Sequence, residues 1–212
     1  MWSQAMVSSG DSKSLNIGIM GGTFDPIHIG HLILAEEAWQ QFGLDVVLFV
    51  PAGDPPHKRG HVSACAKDRL EMVKLAVNDN DHFEYSTVEI DRPGPSYTID
   101  TIRELRTLLG ESTRVYLLIG TDEAKDLMTW HNPYGIKELA TIVVAERPRY
   151  TFESAVSKLP ADFANGLVKL RIPRIDVSST EIRRRVRANL SIRYLVPRAV
   201  ETYILDKGLY GR

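Results

Sequence analysis

The chain has 212 residues, 26 Lys and Arg against 27 Asp and Glu, and a formal net charge of −1. That length can bury a core as one domain, and the near-neutral balance argues against a protein built to coat nucleic acid. A single cysteine, Cys65, fits a reducing cytosol, and no apolar run reaches the roughly 20 residues that span a bilayer. The expectation is a cytoplasmic protein without membrane or nucleic-acid partners.

In chain order, Met1 to Ser14 is polar and Ser-rich, without the basic start and apolar centre of a signal peptide. It reads as a disordered extension before a single domain over residues 15–212. Asn16 to Met20 is apolar enough for a buried strand, and Leu32, Ile33, Ala35, Ala38, Trp39 and Phe42 recur at helical spacing. Between them lies Gly21-Gly22-Thr23-Phe24-Asp25-Pro26-Ile27-His28-Ile29-Gly30-His31. Asp45 to Val50 reads as a second buried strand, and Gly53 to His61, rich in Pro and Gly, as a loop expected to lie exposed.

Asp68 to Asn78 is predicted helical, and Phe83 to Ile90 reads as a strand. Arg92-Pro93-Gly94-Pro95 forces a turn, and Ser96 to Thr101 enters a helix through Ile102, Leu105 and Leu109. Val115 to Ile119 is a strand ending at Gly120-Thr121-Asp122, followed by a short helix over Ala124 to Met128. Thr141 to Ala145 is the last strong strand and ends at Arg147-Pro148; Leu167 to Ile172 is a weaker one. Val177 to Arg183 opens a basic helix, and a final helix runs from Pro197 to a stop at Gly208. Strands alternating with helices predict an α/β fold. Its sheet should be doubly wound, mainly parallel and Rossmann-like, with a helical C-terminal portion. Ligands of such sheets sit beyond the carboxyl ends of the strands. Gly21 to His31, Pro55 to Lys58, Gly120 to Asp122 and Arg147 all follow strands, so they should share one site.

The first of these stretches has the strongest chemistry. Glycines at a strand-to-helix turn let backbone N–H groups approach a ligand, and the helix start adds partial positive charge for an anion. His28 and His31 bracket that helix start, either as caps or as donors to a bound polyphosphate. Ser178-Ser179-Thr180-Glu181 has capping-box spacing, with Ser178 as cap and Glu181 reaching back. A cap does not explain Arg183, because a cation near a helix N-terminus is unfavourable unless an anion lies between them. Arg184, Arg185 and Arg187 read as a solvated face. Lys58 is a surface lysine unless its loop meets phosphate. Gly120-Thr121-Asp122 is a helix cap or a ligand contact, Arg147 an ion-pair partner or a ligand contact. Trp130, in a short Trp-His-Asn-Pro loop, is either core or a stacking surface.

Gly21 to Leu32 resembles the signature of the nucleotidyltransferase superfamily with the H-x-G-H motif, in the form similar to bacterial nicotinate-nucleotide adenylyltransferases. Val177 to Arg183 resembles that family's Ile-Ser-Ser-Thr-x-Ile-Arg element, with Val177 in the Ile place. The resemblance covers residues 17 to about 185 and implies transfer of AMP from ATP to nicotinate mononucleotide, with Mg²⁺ bound mainly through ATP phosphates and water. It implies that Gly21, Gly22, Thr23, Phe24, His28, His31, Asp122, Ser179, Thr180 and Arg183 bind ATP. Catalysis would fall to His28, His31, Lys58 and Arg183. Tyr97, Thr98, Trp130 and Arg147 would bind nicotinate mononucleotide, with no metal held by protein ligands alone. The rivals are another phosphomonoester acceptor (nicotinamide mononucleotide or phosphopantetheine), an NAD-binding oxidoreductase and a non-catalytic nucleotide-binding module. The oxidoreductase reading lacks G-x-G-x-x-G at the first turn.

Overall fold

Continuous apolar runs need both faces covered, and the fold supplies two helical layers. The computed structural model describes residues 14–54, 63–146 and 150–211. In the first half of the chain, β1 (Asn16–Gly22), α1 (Ile29–Phe42), β2 (Val46–Pro51), α2 (Ala66–Val77), β3 (Phe83–Tyr85), α3 (Val88–Asp91) and α4 (Thr98–Leu109) follow in order. Then come β4 (Arg114–Gly120), α5 (Thr121–Ala124), a 3₁₀ turn over Leu127–Thr129, α6 (Pro133–Leu139) and β5 (Thr141–Ala145). The chain ends through α7 (Phe152–Val156), α8 (Ala161–Ala164), β6 (Val168–Leu170), α9 (Ser179–Arg187) and α10 (Arg198–Asp206). The expected N-terminal extension lies, but for Ser14, outside the described residues, as does most of the Pro- and Gly-rich loop after β2.

Among the described residues the strands form one sheet in the order β3-β2-β1-β4-β5-β6, every neighbour parallel. The chain winds outward from β1 to β3, then returns to lay β4 on the other side of β1. That reversal opens a crevice at the carboxyl ends of β1 and β4. Ile17, Ile19, Leu48, Leu117, Ile119 and Val144 face the layer that holds Ile99, Ile102 and Leu105 of α4 and Ile136 of α6. Met20, Val47, Phe49, Leu118 and Val143 face Leu34, Met72, Ile182 and Ile204, from α1, α2, α9 and α10. The C-terminal helices are therefore part of the core. Tyr203 also donates a 2.9 Å hydrogen bond to Asp68 of α2, and burial followed by this bond pushes its phenol up to about 12.

Two predicted elements come out differently. The strand expected over Phe83 to Ile90 stops at Tyr85, because Ser86 Oγ accepts the Val88 N–H and Asp91 N–H turns back to the Thr87 carbonyl. The resulting helical turn buries Val88 and Glu89. The helix expected over Ala124 to Met128 is split into α5 and the 3₁₀ turn. The sequence reading had no place for α6, α7 and α8. Yet Asn132 caps α6 by accepting the Gly135 N–H, with Pro133 at its first position, and Thr151 caps α7. No helix among the described residues is long and apolar enough to cross a membrane.

Candidate active site

Two chambers open side by side at the β1/β4 crevice, of about 520 and 420 Å³. Gly21, Gly22, Thr23, Ile119, Asp122 and Glu123 line both and so form their common wall. Asp122 is exposed on the first turn of α5, while Glu123 turns back to accept the Gly120 N–H at 3.0 Å. The strand ends thus bring a backbone edge and one outward carboxylate to the junction of the two spaces.

The larger chamber holds the H-x-G-H residues. His28 sits in extended backbone just before α1, and its N–H donates to Nδ1 of His31 at 3.2 Å. That bond makes Nδ1 of His31 the acceptor, which leaves the ring proton of the neutral imidazole on Nε2. The two imidazoles stack 3.7 Å apart at 24°, and Phe24 meets His31 edge-on at 5.1 Å. Gly30 leaves room beneath this stack: a Cβ there would come within 3.1 Å of the His28 ring, which would have to shift slightly. Ring stacking, one hydrogen bond and a missing Cβ together hold the histidine pair in place.

Asp25 is the hub behind that stack. It is buried and accepts the backbone N–H groups of Ser63 and Ala64 and the Tyr210 hydroxyl, at 2.8, 3.0 and 2.8 Å. Burial, then the charge of Asp25, pushes the Tyr210 phenol far above its ordinary value. Arg183 of α9 donates from Nη1 to the Asp25 carbonyl at 2.7 Å and lies 3.8 Å from its carboxylate. Arg69 of α2 is wholly buried and donates to the Thr23 carbonyl at 2.8 Å and the Gly53 carbonyl at 3.4 Å. It joins the turns that follow β1 and β2. Burial draws its pKa down, and Asp25 opposes that.

The α9 start completes this chamber with Ser178, Ser179, Thr180 and Arg183. Ser178 caps the helix by accepting the Glu181 N–H at 3.2 Å. Glu181 does not reach back as expected; its two oxygens take Arg184 at 2.7 Å each, a stronger charge-assisted pair than a bond to a neutral N–H. Ser179 spends its proton on the Pro26 carbonyl at 2.9 Å, tying α9 to the turn after β1.

The smaller chamber is lined by Tyr97, Thr98, Trp130 and His131, with Glu89, Ser96 and Thr101 at one side. Tyr97 is the extended residue before α4 and supplies no side-chain cap, so the first N–H groups of this helix are left to another partner. Trp130 packs against the apolar layer on this side of the sheet, and Tyr97 and His131 approach ring to ring at 4.6 Å.

Every expected ATP contact named above therefore falls in the larger chamber, and Tyr97, Thr98 and Trp130 fall in the smaller. Lys58 and Arg147 lie outside the described residues. Sequence reasoning missed the roles of Asp25, Arg69, Glu89, Ser96 and Tyr210. An arginine in an apolar helical stripe was the one available signal, since buried arginine demands partners. Among the described residues no group of three or more His, Cys, Asp or Glu is placed to hold a metal.

Known proteins show the family and the fold. The family model described as cytidylyltransferase-like matches residues 19–185. A relative from Thermus thermophilus, named "Probable nicotinate-nucleotide adenylyltransferase", is 46% identical over 196 residues, covering 92% of this chain and 100% of that protein. One of the same name from Thermoanaerobacter sp. (strain X514) is 42% identical over 203 residues, covering 94% and 96%. Among solved structures, the Plasmodium falciparum nicotinic acid mononucleotide adenylyltransferase complexed with NaAD superposes with a TM-score of 0.74 at 20% identity, covering 92% of this chain and 97% of that one. That likeness shows the fold. With the relatives matched along nearly their whole length, the chain belongs to the nicotinate-nucleotide adenylyltransferases of the cytidylyltransferase-like family.

Proposed function

We propose that ATP occupies the larger chamber and nicotinate mononucleotide the smaller, and that AMP passes between them across their common wall. The products are deamido-NAD and pyrophosphate. The observation that carries this reading is the shared wall of Gly21, Gly22, Thr23 and Asp122. A phosphate entering from one chamber meets an α-phosphorus held in the other without either substrate having to move.

The acceptor is a phosphate monoester whose second pKa is near ~6, so at neutral pH it is already a nucleophile and needs no general base. One of its oxygens bonds to the α-phosphorus, the bond from that phosphorus to the bridging oxygen breaks, and pyrophosphate leaves with the electron pair. The protein's work is alignment and neutralisation of phosphoryl charge. His31 donates from Nε2, and His28 assists. Arg183, Ser179 and Thr180 face the same phosphates from α9. Lys58 and Arg147 keep the roles their motifs imply, on phosphate and on the acceptor.

Mg²⁺ fits the donor set at the junction. Asp122 is a single hard carboxylate there, and Mg²⁺ commonly binds one or two carboxylates plus substrate phosphates and waters. It would neutralise charge on the ATP phosphates. In the smaller chamber Trp130 stacks on the pyridine ring, and the uncapped start of α4 beside Tyr97 and Thr98 takes the nicotinate carboxylate. Residues 15–212 act as one domain, and the single cysteine suits work in the cytoplasm. The test is pyrophosphate release from MgATP with a panel of acceptors. Release with nicotinate mononucleotide and little with phosphopantetheine is expected; release with phosphopantetheine alone would overturn the acceptor.

A further inference from the structure

Ser96 ties the turn after β2 to the start of α4. Its Oγ accepts two successive backbone N–H groups, of Gly53 at 3.1 Å and of Asp54 at 3.3 Å. Its own N–H donates to the Asp54 carbonyl at 3.1 Å. Glu89, which lines the same chamber, takes the hydroxyl proton of Thr101 at 2.7 Å. Glu89 is buried, and the Thr101 hydroxyl supplies one of the hydrogen bonds its carboxylate loses from water. A hydroxyl oxygen has two lone pairs, and those of Ser96 are turned toward Gly53 and Asp54.

The backbone at Gly53 has little freedom of its own. A Cβ there would run into the Glu89 carbonyl, and the Gly53 carbonyl is held by Arg69. Ala52, just before it, and Tyr97, just after Ser96, both line the smaller chamber. The Ser96 hydroxyl and the bond from its N–H thus tie these two stretches of the chamber lining to each other.

On the reading that this chamber takes the acceptor, we propose that Ser96 is a positioning residue for the acceptor: it fixes the end of β2 against the Tyr97–Thr98 start of α4. Removing the hydroxyl leaves two N–H groups without their acceptor and lets the two walls shift, while the larger chamber keeps its own ties. The loss therefore falls on acceptor affinity. It does not fall on ATP.

The test compares Ser96→Ala, Ser96→Cys and Ser96→Thr in full-length protein. KM is measured for nicotinate mononucleotide and for MgATP separately, beside the melting temperature. A thiol is a poor acceptor of similar shape, whereas threonine keeps the hydroxyl. Acceptor KM should rise at least ~10-fold in Ser96→Ala and Ser96→Cys, with MgATP KM within about twofold and most of the loss recovered in Ser96→Thr. If Ser96→Ala does not fold, the contrast between cysteine and threonine decides. Unchanged acceptor KM, equal rises for both substrates, or equal impairment of the cysteine and threonine variants would overturn the role of Ser96. A rise in MgATP KM alone would overturn the assignment of the chambers on which it rests.

Discussion

His31 presents a proton at Nε2 because its Nδ1 accepts the backbone N–H of His28 three residues earlier. A donor fixed before substrate arrives acts most strongly where charge shifts in the transition state. His31→Ala is therefore expected to lower turnover at least ~100-fold with little change in acceptor KM, an effect of the size seen when one preorganised donor is removed. Turnover equal to wild type would take His31 out of the mechanism. Tyr210 makes a different kind of contribution, as a buried donor to Asp25. Tyr210→Phe leaves that carboxylate one partner short and should cost about 1–2 kcal/mol at neutral pH. The folded phenol titrates above its ordinary 10.0, so the folded chain keeps a proton that the unfolded chain releases. Stability from Tyr210 is complete below that pH and is lost above it. Melting curves of the two proteins should accordingly converge as pH rises beyond 10.0; a gap independent of pH would contradict the tie. The histidines were legible because their spacing around a helix start is local. Tyr210 was not, since its partner lies 185 residues away and nothing near it in the sequence signals burial.

At the scale of elements, the start of α9 forms one wall of the larger chamber. Ile182 anchors it in the core, Ser179 binds the Pro26 carbonyl, and Arg183 binds the Asp25 carbonyl. All three fall on one side of a helix whose other side carries Arg184 and Arg187, both exposed. Arg183→Ala should weaken MgATP binding at least ~10-fold and acceptor binding far less, since a charge-assisted contact is worth about 1.5–3 kcal/mol. Unchanged ATP affinity by calorimetry would make the arginine a purely structural tie to Asp25. Element by element, the long apolar strands β1, β2, β4 and β5 were readable within a residue or two, because buried parallel strands are continuous apolar runs. Residues 83–90 were not: partial alternation fits either a strand or a turn, and the Ser86 side chain settles the choice locally. The short helices α7 and α8, at five and four residues, are too brief to show a period.

For the whole molecule, the strand order puts β1 and β4 together, and that single adjacency makes two chambers with one wall. Strand alternation with helices in the sequence implied a parallel sheet and a common edge for the post-strand residues. It could not say that the edge divides into two spaces, nor that Arg69, Ser96 and Asp25 hold the turns to one another. Those facts depend on which turns the tertiary fold brings together. The central claim is that the smaller chamber is built for an anionic pyridine nucleotide. Nicotinate and nicotinamide mononucleotides differ by a carboxylate against a neutral amide. The uncapped start of α4 offers N–H donors and partial positive charge to the carboxylate. The amide brings an N–H₂ that would face those donors, leaving buried polar groups unpaired at roughly 1–3 kcal/mol each and losing the charge-assisted bond. Trp130 can stack on either ring and should not discriminate. The decisive measurement is kcat/KM for each mononucleotide at saturating MgATP. A preference of at least ~100-fold for nicotinate mononucleotide is expected; equal values, or a preference for the amide, would contradict it.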